Sequence, residues 1–429
     1  MLTTTLVTLL LLIGLSIPVA ASMGMLGVVL NRFYTPMPLE RAMGEIAWST
    51  STDGLLVAIP MFVLLGEVLL RSGIAARMYG AMSQWLSWLP GGLMHSNIGA
   101  CTLFAATSGS SVATAATVGT VALPEVGRYN YNERMFLGTL AAGGTLGILI
   151  PPSINMIIYG VLTDTSVPKL YLAGFVPGLV LAGLFMVTVI VACLFVPRWG
   201  GSPVPSSWSA RIGSLPHLLP PLGIFLIVVG TIYAGIATPT EAAALGVLAA
   251  LALAARQGLL TWPVLRDSFE GTMRTTAMIM LIIVAAYFLN FVIAAIGLAE
   301  RASATVQGLG LGPVGTIVMI IVFYVILGCF METLSMMIAT VPIVTPIIVA
   351  QGYDPVWFGI MLMLLLETAL ITPPIGLNLF VVQSIRPKAG PLNDVIVGTF
   401  PFVLTMFVMI ALLVVFPDIA MWMPRVMGN

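Results

Sequence analysis

Residues 147–155 read Gly-Ile-Leu-Ile-Pro-Pro-Ser-Ile-Asn, residues 372–378 read Thr-Pro-Pro-Ile-Gly-Leu-Asn, and both stretches lie inside long apolar segments. A double proline removes two backbone amide donors and bends the chain, so it leaves carbonyl groups without helical partners. Lipid offers such groups no hydrogen-bond partner, and irregular backbone at membrane depth is therefore buried in protein or lines a cavity. Both stretches predict a membrane helix that is broken at a site.

The composition predicts an all-α polytopic membrane protein. Of 429 residues, 59% are hydrophobic and only 7% are charged, and the mean hydropathy is +1.10. Apolar runs of about 20 residues recur along the chain, as expected for helices that cross a hydrocarbon core about 30 Å thick. Sixteen basic and sixteen acidic residues give a net charge of zero, which excludes the basic surface of a nucleic-acid-binding protein.

The sequence carries no signature of an enzyme, and we assign no catalytic residue. The three cysteines lie far apart in apolar segments, and no phosphate-binding loop is present. An intramembrane hydrolase is a remote alternative, with Ser110 or Ser111 as nucleophile and His95 as base. The sequence lacks Gly-x-Ser-x-Gly, however, and His95 begins the same segment about four turns before those serines.

The first 30 residues resemble a signal peptide, because Pro18-Val19-Ala20-Ala21-Ser22 looks like a cleavage region. No Lys or Arg precedes the apolar run, and the run continues to Leu30. We interpret residues 5–30 as a first membrane helix.

Two further segments are too long for one crossing and are interrupted midway by small or polar residues. We predict re-entrant helical hairpins at 92–127, with a tip at Thr107–Ser111, and at 313–350, with a tip at Gly328–Ser335. Each hairpin precedes one of the broken helices, which we place at 136–162 and 357–382.

The second half of the chain repeats the first. Four features recur with an offset of 222 positions: Pro124 and Pro346, Tyr131 and Tyr353, Phe136 and Phe358, and the proline pairs at 151–152 and 373–374. We therefore divide the chain into a first repeat at 1–197, a linker at 198–217 and a second repeat at 218–429.

Charge position indicates that the repeats are inverted. Arg128 and Arg134 follow the first hairpin, whereas the matching link after the second hairpin contains Asp354 and no Lys or Arg. By the positive-inside rule, the two hairpins open to opposite sides of the membrane, and Arg386 and Lys388 fall on the cytoplasmic side. Inverted repeats with broken helices are typical of secondary transporters.

Hydroxyl, carbonyl and amide oxygens at the hairpin tips and breaks form the kind of cage that binds Na⁺ as a transported coupling ion. The predicted Na⁺ residues are Ser108, Gly109, Ser110, Ser111, Gly147, Pro151, Gly328, Glu332, Thr333, Thr372, Pro374 and Gly376. The predicted substrate-binding residues are Ser111, Thr114, Ser153, Asn155, Thr333, Ser335 and Asn378.

All basic residues fall in the predicted loops, so an anionic substrate has to be met by bound cations and by helix N-termini, from Ser111 onward and from Thr333 onward. Glu332 and Glu367 lie at or near membrane depth, where a carboxyl group is costly and often functional. Cation ligand, proton carrier and hydrogen-bonded structural group remain open roles for both.

The same residues carry a resemblance to a known family. The segments 108–113, 147–153, 328–333 and 372–380 resemble, in order and in both halves, the large membrane subunit of tripartite ATP-independent periplasmic (TRAP) transporters. Thr114 departs from the acidic residue of some members, so we give it no charge-based role.

The resemblance implies an elevator-type transporter in the bacterial inner membrane that couples organic-acid uptake to Na⁺. It also implies two partners, a small membrane subunit and a periplasmic substrate-binding protein. A C4-dicarboxylate, a sialic-acid-type sugar acid and a keto acid all remain possible substrates. The alternative is a stand-alone Na⁺- or H⁺-coupled anion carrier of another elevator family.

Overall fold

The computed structural model describes residues 1–387 and 390–427. Lys388, which we predict on the cytoplasmic side, lies outside the described residues, as do the last two residues of the predicted second repeat. Every regular element in the described part is helical, which confirms the all-α prediction. Five helices are long and apolar enough to cross a membrane, or up to eight if each bent helix pair counts as one span.

Eleven α-helices form the first part of the chain. They are α1 Leu2–Gly14, α2 Val19–Tyr34, α3 Met43–Ser51, α4 Ala58–Arg71, α5 Ile74–Leu86, α6 Leu93–Ser108, α7 Ser111–Ala122, α8 Pro124–Arg128, α9 Glu133–Thr145, α10 Ile154–Thr163 and α11 Val167–Phe195.

Twelve more follow, with a π-helical turn at Leu226–Gly230 between α13 and α14. They are α12 Trp208–Ser214, α13 Leu219–Phe225, α14 Thr231–Tyr233, α15 Pro239–Arg256, α16 Trp262–Ala295, α17 Leu298–Gly308, α18 Gly312–Gly328, α19 Thr333–Ala350, α20 Pro355–Ile371, α21 Leu377–Ser384, α22 Leu392–Val415 and α23 Asp418–Met427.

The N-terminal segment differs from the prediction. Residues 5–30 do not form one helix, because the chain turns between α1 and α2, with Ser16 at a φ of 58° and Pro18 directly before α2. The Thr4 hydroxyl lies 2.6 Å from the Tyr34 hydroxyl, so α2 returns along α1. Proline has no amide to continue the first helix, and this local break outweighs the continuous apolar pattern.

Two helix pairs occupy the predicted hairpin segments. In the first pair, α6 and α7 pack on each other across the tip at Gly109 and Ser110. In the second, α18 and α19 are joined at Cys329–Glu332, and the Tyr324 and Thr340 hydroxyls meet across the pair at 2.5 Å. Both pairs therefore run out and back within their segments.

Both proline pairs interrupt helices. The chain leaves the helix after Thr145 and re-enters one at Ile154, and all residues between them are buried. The second interruption separates α20 from α21, and there Pro373 and Pro374 are exposed. Both Pro-Pro peptide bonds are cis.

The helices form two packing groups. Helix α16 packs on α2 and α4, and α4 also packs on α15, whereas α9 packs on α6, α7, α21 and α22. Between them lie two bends, one of 70° from α4 to α5 and one of 117° from α17 to α18. The second group contains both breaks and the first hairpin, and it positions the site described below.

The predicted linker at 198–217 contains the short helix α12. Its Arg211 donates from Nε to the Gln84 carbonyl oxygen at 3.1 Å, and Trp85 Nε1 donates to the Arg211 carbonyl oxygen at 3.2 Å. The linker is thereby docked on the C-terminal end of α5.

Candidate functional site

The tip of the first hairpin is an ordered hydroxyl cluster. Gly109 ends α6 with a φ of +62°, and the Ser110 hydroxyl caps α7 by accepting from the Ala113 amide at 3.4 Å. The Thr114 hydroxyl donates to the Ser110 carbonyl oxygen at 2.7 Å and lies 3.1 Å from the Ser108 hydroxyl. Three predicted Na⁺ residues, Ser108, Gly109 and Ser110, and the predicted substrate-binding residue Thr114 therefore share one small region.

This tip lies directly on the first Pro-Pro break. The Ser111 hydroxyl donates to the Thr145 carbonyl oxygen at 2.9 Å. A Cβ at Gly147 would lie 2.8 Å from the Ser111 amide nitrogen, and a Cβ at Gly109 would lie 2.5 Å from the Pro152 carbonyl oxygen. Only glycine permits this approach at both positions, so the structure brings the predicted first-half residues together.

A residue of the second half completes this cluster. Asn378, in the first turn of α21, is fully buried, and its Nδ2 donates to the Ala141 carbonyl oxygen of α9 at 3.1 Å. A Cβ at Gly144 would lie 2.6 Å from the Ala115 Cβ and 3.1 Å from Asn378 Nδ2. The two halves therefore meet where the first hairpin meets the first break.

Several buried polar atoms around this junction have no hydrogen-bond partner in the described part of the chain. They include Ser153 Oγ, Asn155 Nδ2 and Asn378 Oδ1, on side chains that are at most 7% exposed. Ser153 precedes α10, and Asn155 lies inside its first turn rather than in the break. Buried polar atoms in proteins are nearly always hydrogen-bonded, so these three are available to a ligand.

The second hairpin tip is built differently. Glu332 caps α19: its carboxylate accepts from the Leu334 and Ser335 amides, each at 3.0 Å, and from the Thr333 and Ser335 hydroxyls at 2.9 and 3.1 Å. The helix N-terminus from Thr333 onward was expected to meet the substrate's negative charge. The first amides of α19 instead donate to the Glu332 carboxylate, and its negative charge repels an anion at this helix N-terminus.

The second break is not joined to the second hairpin tip by any hydrogen bond within the described residues. The Thr372 hydroxyl donates to the Thr368 carbonyl oxygen at 2.6 Å, Pro374 is exposed, and Gly376 has a φ of +28°. A Cβ at Gly328 would lie 2.6 Å from the Ala369 Cβ, which places the hairpin against the end of α20. Within the described residues, the second hairpin therefore packs beside the second break without a hydrogen bond between the tip and the break.

Glu367, on α20, lies next to the first break. Its side chain is fully buried, and neither carboxyl oxygen has a well-formed hydrogen bond to a described residue. The carboxyl group faces the Leu149 amide, between the helices α9 and α10. An unpaired charge is strongly disfavoured in such a place.

The structure gives no support to the hydrolase alternative. His95 Nε2 contacts the Pro90 carbonyl oxygen at 2.8 Å at the base of α6. Ser108 ends that helix 13 positions later, which corresponds to about 20 Å along its axis. No serine of the hairpin tip is within reach of this histidine.

The sequence analysis missed the contribution of α9. The carbonyl oxygens of Ala141 and Thr145 accept from Asn378 and Ser111, and Gly144 makes room between the two halves. The sequence feature that could have indicated this contribution is the run of small residues at 141–145, because small residues allow helices to approach closely at the end of a broken helix.

The family whose description is "Tripartite ATP-independent periplasmic transporter, DctM component" matches residues 6–419. The chain belongs to this family. This large TRAP permease is 34% identical to a C4-dicarboxylate TRAP transporter large permease of Pseudomonas aeruginosa, over 95% of the chain and 94% of that protein. It is 32% identical to an ectoine permease of Halomonas elongata and 31% identical to a sialic acid permease of Vibrio cholerae, over 86% of each chain.

Two solved transporters share its fold. The YdaH transporter of Alcanivorax borkumensis aligns over 97% of this permease and 98% of its own chain, with a TM-score of 0.58 and 15% identity. MtrF of Neisseria gonorrhoeae aligns over 96% and 94%, with a TM-score of 0.57 and 12% identity. The TRAP permease is therefore a multi-pass inner-membrane protein with the fold of a transporter.

Proposed function

We propose that this TRAP permease transports an organic acid into the cell together with Na⁺. The single observation that carries the proposal is the junction of the first hairpin tip, the first break and Asn378. Its polar groups are hydroxyl, carbonyl and amide groups, and Asn378 Oδ1 is buried there without a partner. A cage of neutral oxygens at a break in membrane helices suits a desolvated alkali cation.

The order of elements supports inverted repeats and an elevator motion. Each half contains a hairpin, a broken helix and a long helix, in that order. Gly73 and Gly297, which precede α5 and α17, both have a positive φ. The group around α9 then moves as the carrier against the group around α16, with the charge bias of the loops giving the two repeats opposite orientations.

The substrate class and partners follow from the relatives. Their names specify C4-dicarboxylate, sialic acid and ectoine, and all three compounds carry a carboxyl group. The substrate carboxylate would lie at the α7 N-terminus beside Ser153 and Asn155, because Glu332 blocks the α19 N-terminus. A periplasmic binding protein would deliver the acid, and a small membrane subunit would pair with the packing group around α16.

Uptake by proteoliposomes tests the proposal. Vesicles containing this chain, its small subunit and its binding protein are given radiolabelled succinate or N-acetylneuraminate, with and without an inward Na⁺ gradient. We expect uptake that requires Na⁺ and the binding protein, and we expect Asn378→Ala to abolish it. Asn290→Ala, a change on α16 outside the junction, serves as the matched control and should transport normally.

Two results would contradict the proposal. Uptake by this chain alone would identify a stand-alone carrier, and uptake driven by a proton gradient without Na⁺ would remove Na⁺ from the mechanism. Either result would favour the alternative anion carrier of another elevator family.

A further inference from the structure

A group of ion pairs joins the two halves at one end of α9. Arg386 follows α21 directly, and its side chain is only 6% exposed. Its Nε donates to Glu133 Oε1 in the first turn of α9 at 2.7 Å, and its Nη2 donates to Asp394 Oδ2 in the first turn of α22 at 3.2 Å. Arg134 Nε donates to the other oxygen of Asp394 at 2.9 Å.

The ion pairs among Arg386, Glu133, Asp394 and Arg134 form a hub, and the chain packs closely around the Arg386 guanidinium group at its centre. A Cβ at Gly390 would lie 2.2 Å from Arg386 Nη1, so the backbone passes directly over the side chain. The hydrogen bond to Glu133 raises the pKa of Arg386 above its usual value, in keeping with a cation held by two carboxylates. A planar fork that serves two carboxylates is a geometry that arginine provides and lysine does not.

The N-terminal end of α21 is also hydrogen-bonded to α9. Asn378 donates to the Ala141 carbonyl oxygen, while Arg386 donates to Glu133. Asn378 and Arg386 are eight positions apart, as are Glu133 and Ala141. Glu133 and Ala141 are about 12 Å apart along α9, and Asn378 and Arg386 contact them in the reverse chain order, so α21 and α9 run antiparallel.

We propose that Arg386 is a positioning residue for the cation site. A half-helix of eight residues is too short to be stable alone, and it begins after an exposed break. The Arg386 hub fixes its far end to α9, and this holds Asn378 against the first hairpin and break. The inference rests on the proposed function insofar as Asn378 is a Na⁺ ligand.

The experiment measures the position of α21 and the Na⁺ affinity separately. Spin labels at Phe380→Cys on α21 and Arg128→Cys on α8, in a chain whose native cysteines are replaced by alanine, give the distance distribution between α21 and the start of α9. Arg386→Ala and Glu133→Ala should broaden it. Arg134→Ala is the matched control, because it removes an arginine of the same network that does not contact α21.

In the uptake assay, the same two variants should raise the Na⁺ concentration for half-maximal uptake about fivefold or more, with a maximal rate within about twofold of the wild type. Arg386→Lys should raise the Na⁺ concentration for half-maximal uptake less than Arg386→Ala does. An unchanged distance distribution in Arg386→Ala and Glu133→Ala would overturn the proposal, as would a reduced rate at unchanged Na⁺ affinity. If Arg386→Ala does not fold, Glu133→Ala carries the test, since that side chain is 45% exposed.

Failure of the proposed function gives a different pattern. The wild type would then show no Na⁺-driven uptake, although the distance distribution would still respond to Arg386→Ala.

Discussion

Ser111 is the side chain that ties the first hairpin to the first break, through its hydrogen bond to the Thr145 carbonyl oxygen. Ser111→Ala removes a neutral hydrogen bond worth about 1 kcal/mol and a hydroxyl oxygen of the proposed cage. We expect the Na⁺ concentration for half-maximal uptake to rise at least about fivefold. Ser207→Ala, which removes the exposed cap of α12, should leave this concentration unchanged, and equal values in both variants would argue against a role for Ser111.

A second prediction at the residue scale concerns Glu367. Its carboxyl group is fully buried and has no partner within the described residues, so the isosteric glutamine should fit the same space without breaking a hydrogen bond or burying a charge. We expect Glu367→Gln to keep the melting temperature and the Na⁺ dependence of the wild type. If Glu367 carries a proton, Glu367→Gln would instead abolish the acidification of the vesicle lumen that accompanies uptake. A pH dye trapped in the vesicles reports this acidification.

Among the elements, the first hairpin depends on a close approach that one glycine permits. A Cβ at Gly109 would meet the Pro152 carbonyl oxygen at 2.5 Å, and its φ of +62° disfavours any other residue. Gly109→Ala should separate the tip from the break and abolish uptake while the protein still inserts and folds. Gly127→Ala in α8, where no atom lies within 4 Å of the new Cβ, is the control; wild-type uptake by Gly109→Ala would contradict the account.

Local chemistry made the breaks and hairpins of these elements predictable. Proline pairs and glycine-serine runs act on their own backbone, so their effect can be recognised in the sequence without knowledge of the fold. The N-terminal segment was misinterpreted for the complementary reason, since a continuous apolar pattern concealed the single interruption at Pro18.

Contacts between distant parts of the chain were not predictable. The bond from Asn378 to Ala141 spans 237 positions, and the bond from Arg386 to Glu133 spans 253. The sequence placed Arg386 only in a cytoplasmic loop of the predicted topology, because loop charge indicates orientation and not pairing. The contribution of α9 to the site therefore required the structure.

At the scale of the whole molecule, the seam between α9 and α22 joins the two halves, in addition to the packing of α2 on α16 and of α4 on α15 and α16. A Cβ at Gly398 would lie 1.9 Å from the Arg134 carbonyl oxygen, and a Cβ at Gly138 would lie 2.0 Å from the Gly398 carbonyl oxygen. The backbones of the two helices are thus in direct contact, as small residues allow between membrane helices.

Gly398→Ala should therefore force this seam apart, at a cost of about 1–3 kcal/mol or more. We expect a lower melting temperature in detergent and a reduced amount of folded protein. Gly183→Ala in α11, where the new Cβ meets nothing within 4 Å, is the matched control. Equal melting temperatures for the two variants would show that the seam does not join the halves.

The central claim is that the junction of the first hairpin, the first break and Asn378 binds Na⁺. Binding of ²²Na⁺ to the purified chain tests this directly, without knowledge of the substrate. The account predicts saturable binding to the wild type and to Asn290→Ala, and weaker or no binding to Asn378→Ala and Ser111→Ala at equal folded protein. Wild-type affinity in both junction variants would contradict it.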